Sequence, residues 1–308
     1  MAQLCVELES RAVGNEMTEW LAVEHGLANL AGGQLFTQEF PEHRVDVWVP
    51  NDCGAETPLL VMHDGRNIFF PEYSSQGITW GVLEAIRDQR VLAHKLPVVV
   101  AVWGIDPIDT TFGMPSRRLF ELAPQSLLEA DSTLWGELLD HFGGEPSPLI
   151  THEYFDLIVS DIIPSVARSF GLELNRERTA IAGSSMGGIC SLYALTRHSD
   201  VFSYALSFST HLAFWDPNII DVLVDALPDP GSHYVWIDRG TELLDALYEE
   251  PHKRAIAALE GRGYRRDKNF QAHIFDGTDH SELAWSRRVE YPINWWLRSL
   301  APLTSEII

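Results

Sequence analysis

Apolar residues along this chain follow two alternating rhythms. Short apolar or alternating runs predict strands at Gln34–Phe40, His43–Val49, Pro58–Met62, Pro97–Trp103, Thr179–Ala182, Ser203–Ser209, Tyr234–Asp238 and Phe270–Phe275. Between them, helical spacing predicts helices over Thr79–Leu92, Glu153–Phe170, Ile189–Leu195, Glu249–Gly263 and Ser281–Leu300, the last interrupted at Pro292. In Thr79–Leu92 the apolar side is Val82, Leu83, Ala85 and Ile86. Strands that alternate with helices imply an α/β fold, a mostly parallel sheet covered on both faces. The two leading strands read as an antiparallel pair.

The pattern weakens at two places. Residues 1–30 are acidic and weakly patterned, and they read as an N-terminal arm with a short helix near Glu16–Val23. Residues 31–308 then form the main domain. Inside it, from about 104 to 152, Pro107, Pro115, Pro124, Pro146 and Pro148 break up the periodicity, with short helical pieces expected near Leu127–Phe142. A long irregular insertion in a compact domain is usually functional, and this one reads as a lid over a pocket.

The densest chemical signal is Gly183-Ser184-Ser185-Met186-Gly187, which fits G-x-S-x-G between a predicted strand and a predicted helix. Such a turn is too sharp for a Cβ at either glycine, and it holds Ser185 in a strained conformation at the apex. The helix that follows points its N-terminus at the same spot, which favours negative charge there. A Gly/Ser-rich turn can also be an inert loop, but the flanking strand and helix are what a nucleophile elbow requires.

A nucleophilic serine needs a base, an acid and an oxyanion hole. His280 follows the last predicted strand, at the carboxyl end where α/β sheets place their sites; His273, inside a strand, and His198, at a helix end, read as packing residues. The loop after Tyr234–Asp238 is Arg239-Gly-Thr-Glu-Leu-Leu-Asp245 and offers two acids, Glu242 and Asp245. Asp245 lies far enough out to turn back toward His280, and its short side chain loses less entropy when fixed. Glu242 is better placed to cap the strand's end. For the oxyanion hole the candidate amides are those of Met186, after the nucleophile, and Arg66, in the His63-Asp-Gly-Arg66 turn after Pro58–Met62. That turn also reads as an ordinary strand ending. Arg118 reads either as a partner of Glu121 or as a contact for an anionic part of a substrate. Trp80 is a candidate pocket residue, with Phe69, Phe70, Trp103, Phe112, Trp135 and Trp215, although such aromatics are more often core.

Bulk properties narrow the partners. A formal net charge of −22 over 308 residues argues against nucleic acid and anionic membrane surfaces. Cys5, Cys53 and Cys190 are scattered and odd in number, which fits a reducing, cytoplasmic compartment without a disulfide framework. No signal peptide or membrane-spanning run is evident. His152-Glu153 is not followed by a second histidine at zincin spacing, and neither a metal nor a cofactor is expected. Homo-oligomerisation is left open.

Six stretches carry a resemblance: His63-Asp-Gly-Arg-Asn-Ile-Phe69, Arg118-Leu-Phe-Glu-Leu-Ala-Pro124, Asp161-Ile-Ile-Pro164, Gly183-Ser-Ser-Met-Gly-Gly188, Gly240-Thr-Glu-Leu-Leu-Asp245 and His280-Ser-Glu-Leu-Ala-Trp285. Through them the chain resembles the Putative esterase family, which includes enterochelin, feruloyl and esterase D enzymes and antigen 85 acyltransferases. The resemblance implies an α/β-hydrolase fold with Ser185, an acid and His280 as a triad. It favours Asp245, because members often show Gly-Thr-x-x-Leu-Asp at this place. The chain departs from siderophore esterases in having too few leading residues for their extra β domain, and from antigen 85 in lacking a secretion signal. The expected activity is hydrolysis of a small-molecule ester through an acyl-enzyme. The alternatives are transfer of the acyl group to an alcohol, or a catalytically inactive binding protein on the same scaffold.

Overall fold

Alternation along the central strands decides how the layers form. The computed structural model describes residues 19–89, 95–105, 117–130, 148–213 and 217–300. Nine strands, β1 (Leu21–Val23), β2 (Gly33–Phe40), β3 (His43–Pro50), β4 (Leu59–Met62), β5 (Val98–Val102), β6 (Thr179–Ser184), β7 (Tyr204–Phe208), β8 (Tyr234–Gly240) and β9 (Phe270–Phe275), form one sheet. Its order is β1-β2-β3-β5-β4-β6-β7-β8-β9. The pairs β1–β2, β2–β3 and β3–β5 are antiparallel, and every pair from β5 to β9 is parallel.

Successive side chains leave opposite faces of a strand, so a buried strand feeds two cores. Leu59, Val61, Val98, Val100, Ile181, Ala205, Val235 and Ile237 join one core. The helices packed on that face are α3 (Arg117–Leu122), α4 (Gln125–Ala130), α5, α6 (Met186–Arg197), α7 (Pro217–Ala226) and α8 (Glu249–Arg262). Helix α5 runs through Thr151–Asp156, Leu157–Ile162 and Ile163–Phe170. Leu60, Met62, Val99, Ala101, Ala180, Ala182, Leu206 and Trp236 join the other core. There they meet α1 (Gly26–Leu30), α2 (Val82–Gln89), α9 (Glu282–Ser286) and α10 (Glu290–Leu300).

The departures from the sequence reading have local causes. Where a helix was expected near Glu16–Val23, the described part is β1, whose Leu21 pairs with Thr37. Edge pairing to β2 supplies backbone partners that a three-residue helix would lack. Helix α7 was not anticipated, although Ile219, Ile220, Leu223 and Val224 repeat at helical spacing and are buried. Leu157–Ile162 is π-helical just before Pro164, which has no N–H to donate to the preceding turn. The break in the closing helix falls at 287–289, and Pro292 sits in the first turn of α10, where a missing N–H costs little. Of the expected insertion, α3 and α4 bury Leu119, Phe120, Leu122 and Leu128 in the main core. Residues 106–116 and 131–147 lie outside the described residues, as do Cys5, Phe112, Trp135 and Trp215.

Candidate active site

The parallel strands all end at one edge of the sheet, and the chemically interesting turns gather there. β4 and β6 run in register, Met62 beside Ala182, so the turns after them begin side by side. The His63 N–H donates to the Ala182 carbonyl at 2.9 Å. Ser185 follows β6 with φ 57° and ψ −119°, outside the regions open to ordinary L-residues. A Cβ on Gly183 would stand 2.7 Å from the backbone of Gly187, so the turn closes only with glycine there. The strained turn is pinned from β7: Ser185 donates its N–H to the Phe208 carbonyl at 2.9 Å and accepts from His211 N–H at 3.2 Å.

The acid and the histidine arrive from the next two strand ends. Gly240, last in β8, lies so close to Thr278 that a Cβ would meet its carbonyl oxygen at 2.1 Å. The Thr241 and Glu242 N–H groups both donate to that carbonyl, at 2.9 and 3.0 Å, which staples the two loops together. Beyond the staple, Asp245 is fully buried and its Oδ1 lies 2.6 Å from His280 Nδ1. Its Oδ2 accepts the Gly240 N–H and the Ser209 hydroxyl, each at 2.6 Å. Burial pushes the Asp245 carboxyl up, but His280, Ser209 and Gly240 outweigh it and hold the group below the usual carboxylate range. Glu242 is exposed, and its backbone carbonyl accepts from the Asp245 N–H at 3.1 Å. The structure therefore brings Asp245, and not Glu242, to the histidine.

His280 keeps only 13% of its side chain exposed. Its ring meets Tyr248 and Trp285 edge-on, with centroids 5.6 and 5.1 Å away. The buried Tyr248 hydroxyl lies 2.7 Å from His211 Nδ1 and within hydrogen-bonding reach of the Ser185 side chain. Burial, reinforced by the Asp245 charge, pushes its phenol far above the ordinary value, so it stays neutral. Tyr248 thus touches both Ser185 and His280. The sequence reading missed it, as it missed Ser209 and Arg288, since nothing in the local pattern marks them. Trp285 lay within a quoted motif but received no role.

On the other side of the elbow, the turn Gly65–Asn67 follows Asp64, whose φ of 55° is left-handed. Gly187 abuts His63 and the Asp64 carboxylate. Neither the Arg66 nor the Met186 amide has an acceptor among the described residues, as the two donors of an oxyanion hole require. Arg118 clamps this turn. Its Nε lies 2.5 Å from Asp64 Oδ1 and a terminal nitrogen 2.7 Å from Oδ2, a bidentate pair. This corrects the expected Arg118–Glu121 pair, for Glu121 Oε1 instead meets His43 Nε2 at 2.5 Å. It also leaves Arg118 engaged with a carboxylate rather than open to a substrate. Trp80 is 1% exposed and packs on Trp285 and Phe208, so it is a core residue supporting the site from below.

Removing one member of a buried pair leaves a charge without a partner, which costs about 3–5 kcal/mol. Arg118→Gln should destabilise the fold by about that amount, and adding Asp64→Asn should recover most of the loss, as read by urea unfolding. Equal unfolding midpoints for wild type and the single variant would show that the clamp contributes nothing.

Beneath the turn, His63 is fully buried, with Nδ1 2.8 Å from the Tyr154 hydroxyl. Burial lowers its pKa to about 4, against the raising effect of Asp64, so His63 is neutral near pH 7. A cavity of about 650 Å3 lined by Tyr204, Tyr234, Lys95 and Arg178 lies at the amino ends of the strands, away from these groups. Ligands of parallel sheets bind at the carboxyl ends, so the elbow edge is the candidate site. Among the described residues no group of three or more His, Cys, Asp or Glu could hold a metal ion, and no helix is long and apolar enough to cross a membrane.

Residues 145–291 match the model of the family described as Putative esterase. An endo-1,4-beta-xylanase/feruloyl esterase of Xylanibacter ruminicola is 23% identical over 150 residues, which are 48% of this chain and 18% of that protein. The matched region is therefore under a fifth of that relative's length. Among solved structures, the enterobactin and salmochelin hydrolase IroE superposes with a TM-score of 0.59 at 17% identity, covering 87% of this chain and 96% of its own. A ferulic acid esterase superposes at 0.55 with 14% identity, covering 87% and 99%. At such identities the structural likeness speaks to the fold, which is that of the α/β hydrolases.

Proposed function

We propose that this chain, whose residues 145–291 match the Putative esterase family, is a serine carboxylesterase working through an acyl-enzyme on Ser185. The observation that carries this reading is a strained apical serine at the same sheet edge as a histidine whose Nδ1 is held by a saturated, buried aspartate, with Tyr248 against both. Asp245 fixes the His280 tautomer with the proton on Nδ1, which leaves Nε2 to act as base. His280 takes the Ser185 proton as Oγ attacks the ester carbonyl. The Met186 and Arg66 amides donate to the oxygen that becomes negative. His280 then protonates the departing alcohol, and water, activated the same way, releases the acid. The neutral Tyr248 hydroxyl beside Ser185 supports the serine side chain before attack without adding a charge.

The Arg66 side chain gives this reading a substrate preference. Its guanidinium lies over Trp103 at 5.7 Å, and its buried Nε has no partner among the described residues. Burial lowers its pKa, with Asp64 opposing. Tyr73 packs on the same indole at 5.3 Å. A cation on an aromatic shelf, one side chain away from the oxyanion amide, suits an acyl group that carries its own carboxylate. Arg66→Met keeps the backbone amide, so it separates binding from chemistry. It should raise KM for such esters by roughly tenfold, the value of one charge-assisted hydrogen bond, and leave neutral esters unchanged. Equal effects on both classes would remove Arg66 from substrate selection.

The function itself is tested on p-nitrophenyl and natural esters graded by acyl length and charge, with and without an added alcohol. Free acid as the main product is the expected result. Dominant acyl transfer to the alcohol would make the protein an acyltransferase on the same site. No turnover of any ester, with Ser185 inert, would leave a binding protein.

A further inference from the structure

Ser209 is not part of any motif, yet it occupies an unusual position. It directly follows β7 with φ 40°, a left-handed conformation that a non-glycine residue adopts only under constraint, and it is fully buried. Its N–H donates to Asp238 Oδ1 at 2.9 Å. Its hydroxyl oxygen receives the Trp285 Nε1–H at 2.9 Å and an Arg288 N–H. Both of those groups are donors only. A hydroxyl has two lone pairs and one hydrogen, so two donors occupy its acceptor sites and leave the hydrogen a single direction. That direction is Asp245 Oδ2, at 2.6 Å.

Resting on the acyl-enzyme reading above, we propose that Ser209 is the positioning residue of the triad: its hydroxyl, oriented by Trp285 and Arg288, holds Asp245 turned toward His280 and keeps the Arg288 charge off that carboxylate. The second half follows from distances. Arg288 lies 3.1 Å from Asp238 Oδ1 and 3.7 Å from Asp245 Oδ2, with the Ser209 hydroxyl bonded to both Arg288 and Asp245. Without that hydroxyl, the nearest new acceptor for Arg288 is Asp245 itself. A direct guanidinium–carboxylate pair would pull Oδ2 toward Arg288 and weaken the hold of Oδ1 on His280 Nδ1. The role also accounts for Trp285 in the His280-Ser-Glu-Leu-Ala-Trp285 stretch, since one indole touches the His280 ring and orients the serine behind its aspartate. The charged or titratable groups facing this cluster are Asp238 from β8, Arg288 from the turn after α9, Tyr248, His252 and His280 around the aspartate, and Glu282 beside His280.

Two variants separate the hydroxyl from the backbone. Ser209→Ala removes the hydroxyl and keeps the strain at φ 40°; Ser209→Gly removes both, so glycine relieves the backbone. Both should lower kcat by about 10- to 100-fold, the value of one charge-assisted hydrogen bond, with little change in KM. In both, the acid limb of the kcat/KM profile should move to lower pH, because the carboxylate facing His280 is now shared with a cation. A purely structural defect would not move that limb. The low-field NMR resonance of the His280 Nδ1 proton should shift upfield in both variants, a readout that needs no turnover. Wild-type kcat and pH profile in Ser209→Gly beside a slow Ser209→Ala would assign the effect to backbone strain and overturn the proposal. An unmoved Nδ1 proton would overturn it whether or not the protein hydrolyses esters. Failure of the esterase reading would show separately, as wild-type protein that turns over no ester.

Discussion

Replacing Ser185 with alanine is expected to lower ester turnover at least about a thousandfold while leaving the fold intact, since members of a triad act as a unit and the residual rate comes from the oxyanion donors and binding alone. The structural grounds are specific. Ser185 holds φ 57°, ψ −119° at the apex of a turn that Gly183 allows and the Phe208 carbonyl anchors. Alanine keeps the Cβ and the N–H, so the anchor at 2.9 Å survives. Only the hydroxyl beside Tyr248 is lost. Ser184 is the internal control. It is the last residue of β6 and 1% exposed, so its hydroxyl does not reach a bound ester. Ser184→Ala should retain activity within a few-fold, allowing for the small cost of losing one buried hydroxyl. Comparable losses in the two variants would assign the defect to the turn's stability rather than to a nucleophile.

The second large effect is expected at Asp245. Asp245→Asn keeps the size of the side chain but puts an amide where His280 Nδ1 and two other donors converge. An amide turned to accept from His280 presents its NH2 to the Gly240 N–H and the Ser209 hydroxyl, donor against donor. Turned the other way, it donates to His280 and favours the tautomer with Nε2 protonated, which cannot act as base. Turnover should fall by three to four orders of magnitude, as tautomer control is lost. Glu242→Gln should be mild, because Glu242 is exposed and contributes to this neighbourhood through its backbone. If Glu242→Gln is the crippled variant, the acid has been assigned to the wrong residue. If both keep near wild-type rates, a Ser185–His280 dyad describes the site better.

The architecture was legible because the central strands are short, apolar and separated by amphipathic helices. Pro58–Met62 and Thr179–Ala182 could be nothing else in a chain of this composition. β1 was not legible, since Leu21–Val23 is too short to show a period and owes its conformation to pairing with β2. Ser185 and His280 could be singled out from their turns, because each lies in the segment that follows a strand. The choice between Glu242 and Asp245 could not be made from spacing alone. It depends on the staple between the 240 and 278 loops, a contact between residues far apart in sequence. The same holds for Arg118, whose partner is 54 positions away rather than 3. Its neighbour in the chain, Glu121, was the natural guess for a helix surface, but α3 is not a surface helix. Ser209 and Arg288 were invisible for a further reason. Their roles come from filling the last donor and acceptor sites of a buried network, and such completeness shows only when all the partners are in view.

The measurement that bears most directly on the central claim is covalent labelling with a fluorophosphonate, read by intact mass and peptide mapping. One equivalent of adduct on Ser185 is predicted, absent from Ser185→Ala and strongly slowed in Asp245→Asn. Ester hydrolysis that persists with Ser185 unmodified, or an adduct that forms on another residue and abolishes activity, would contradict it.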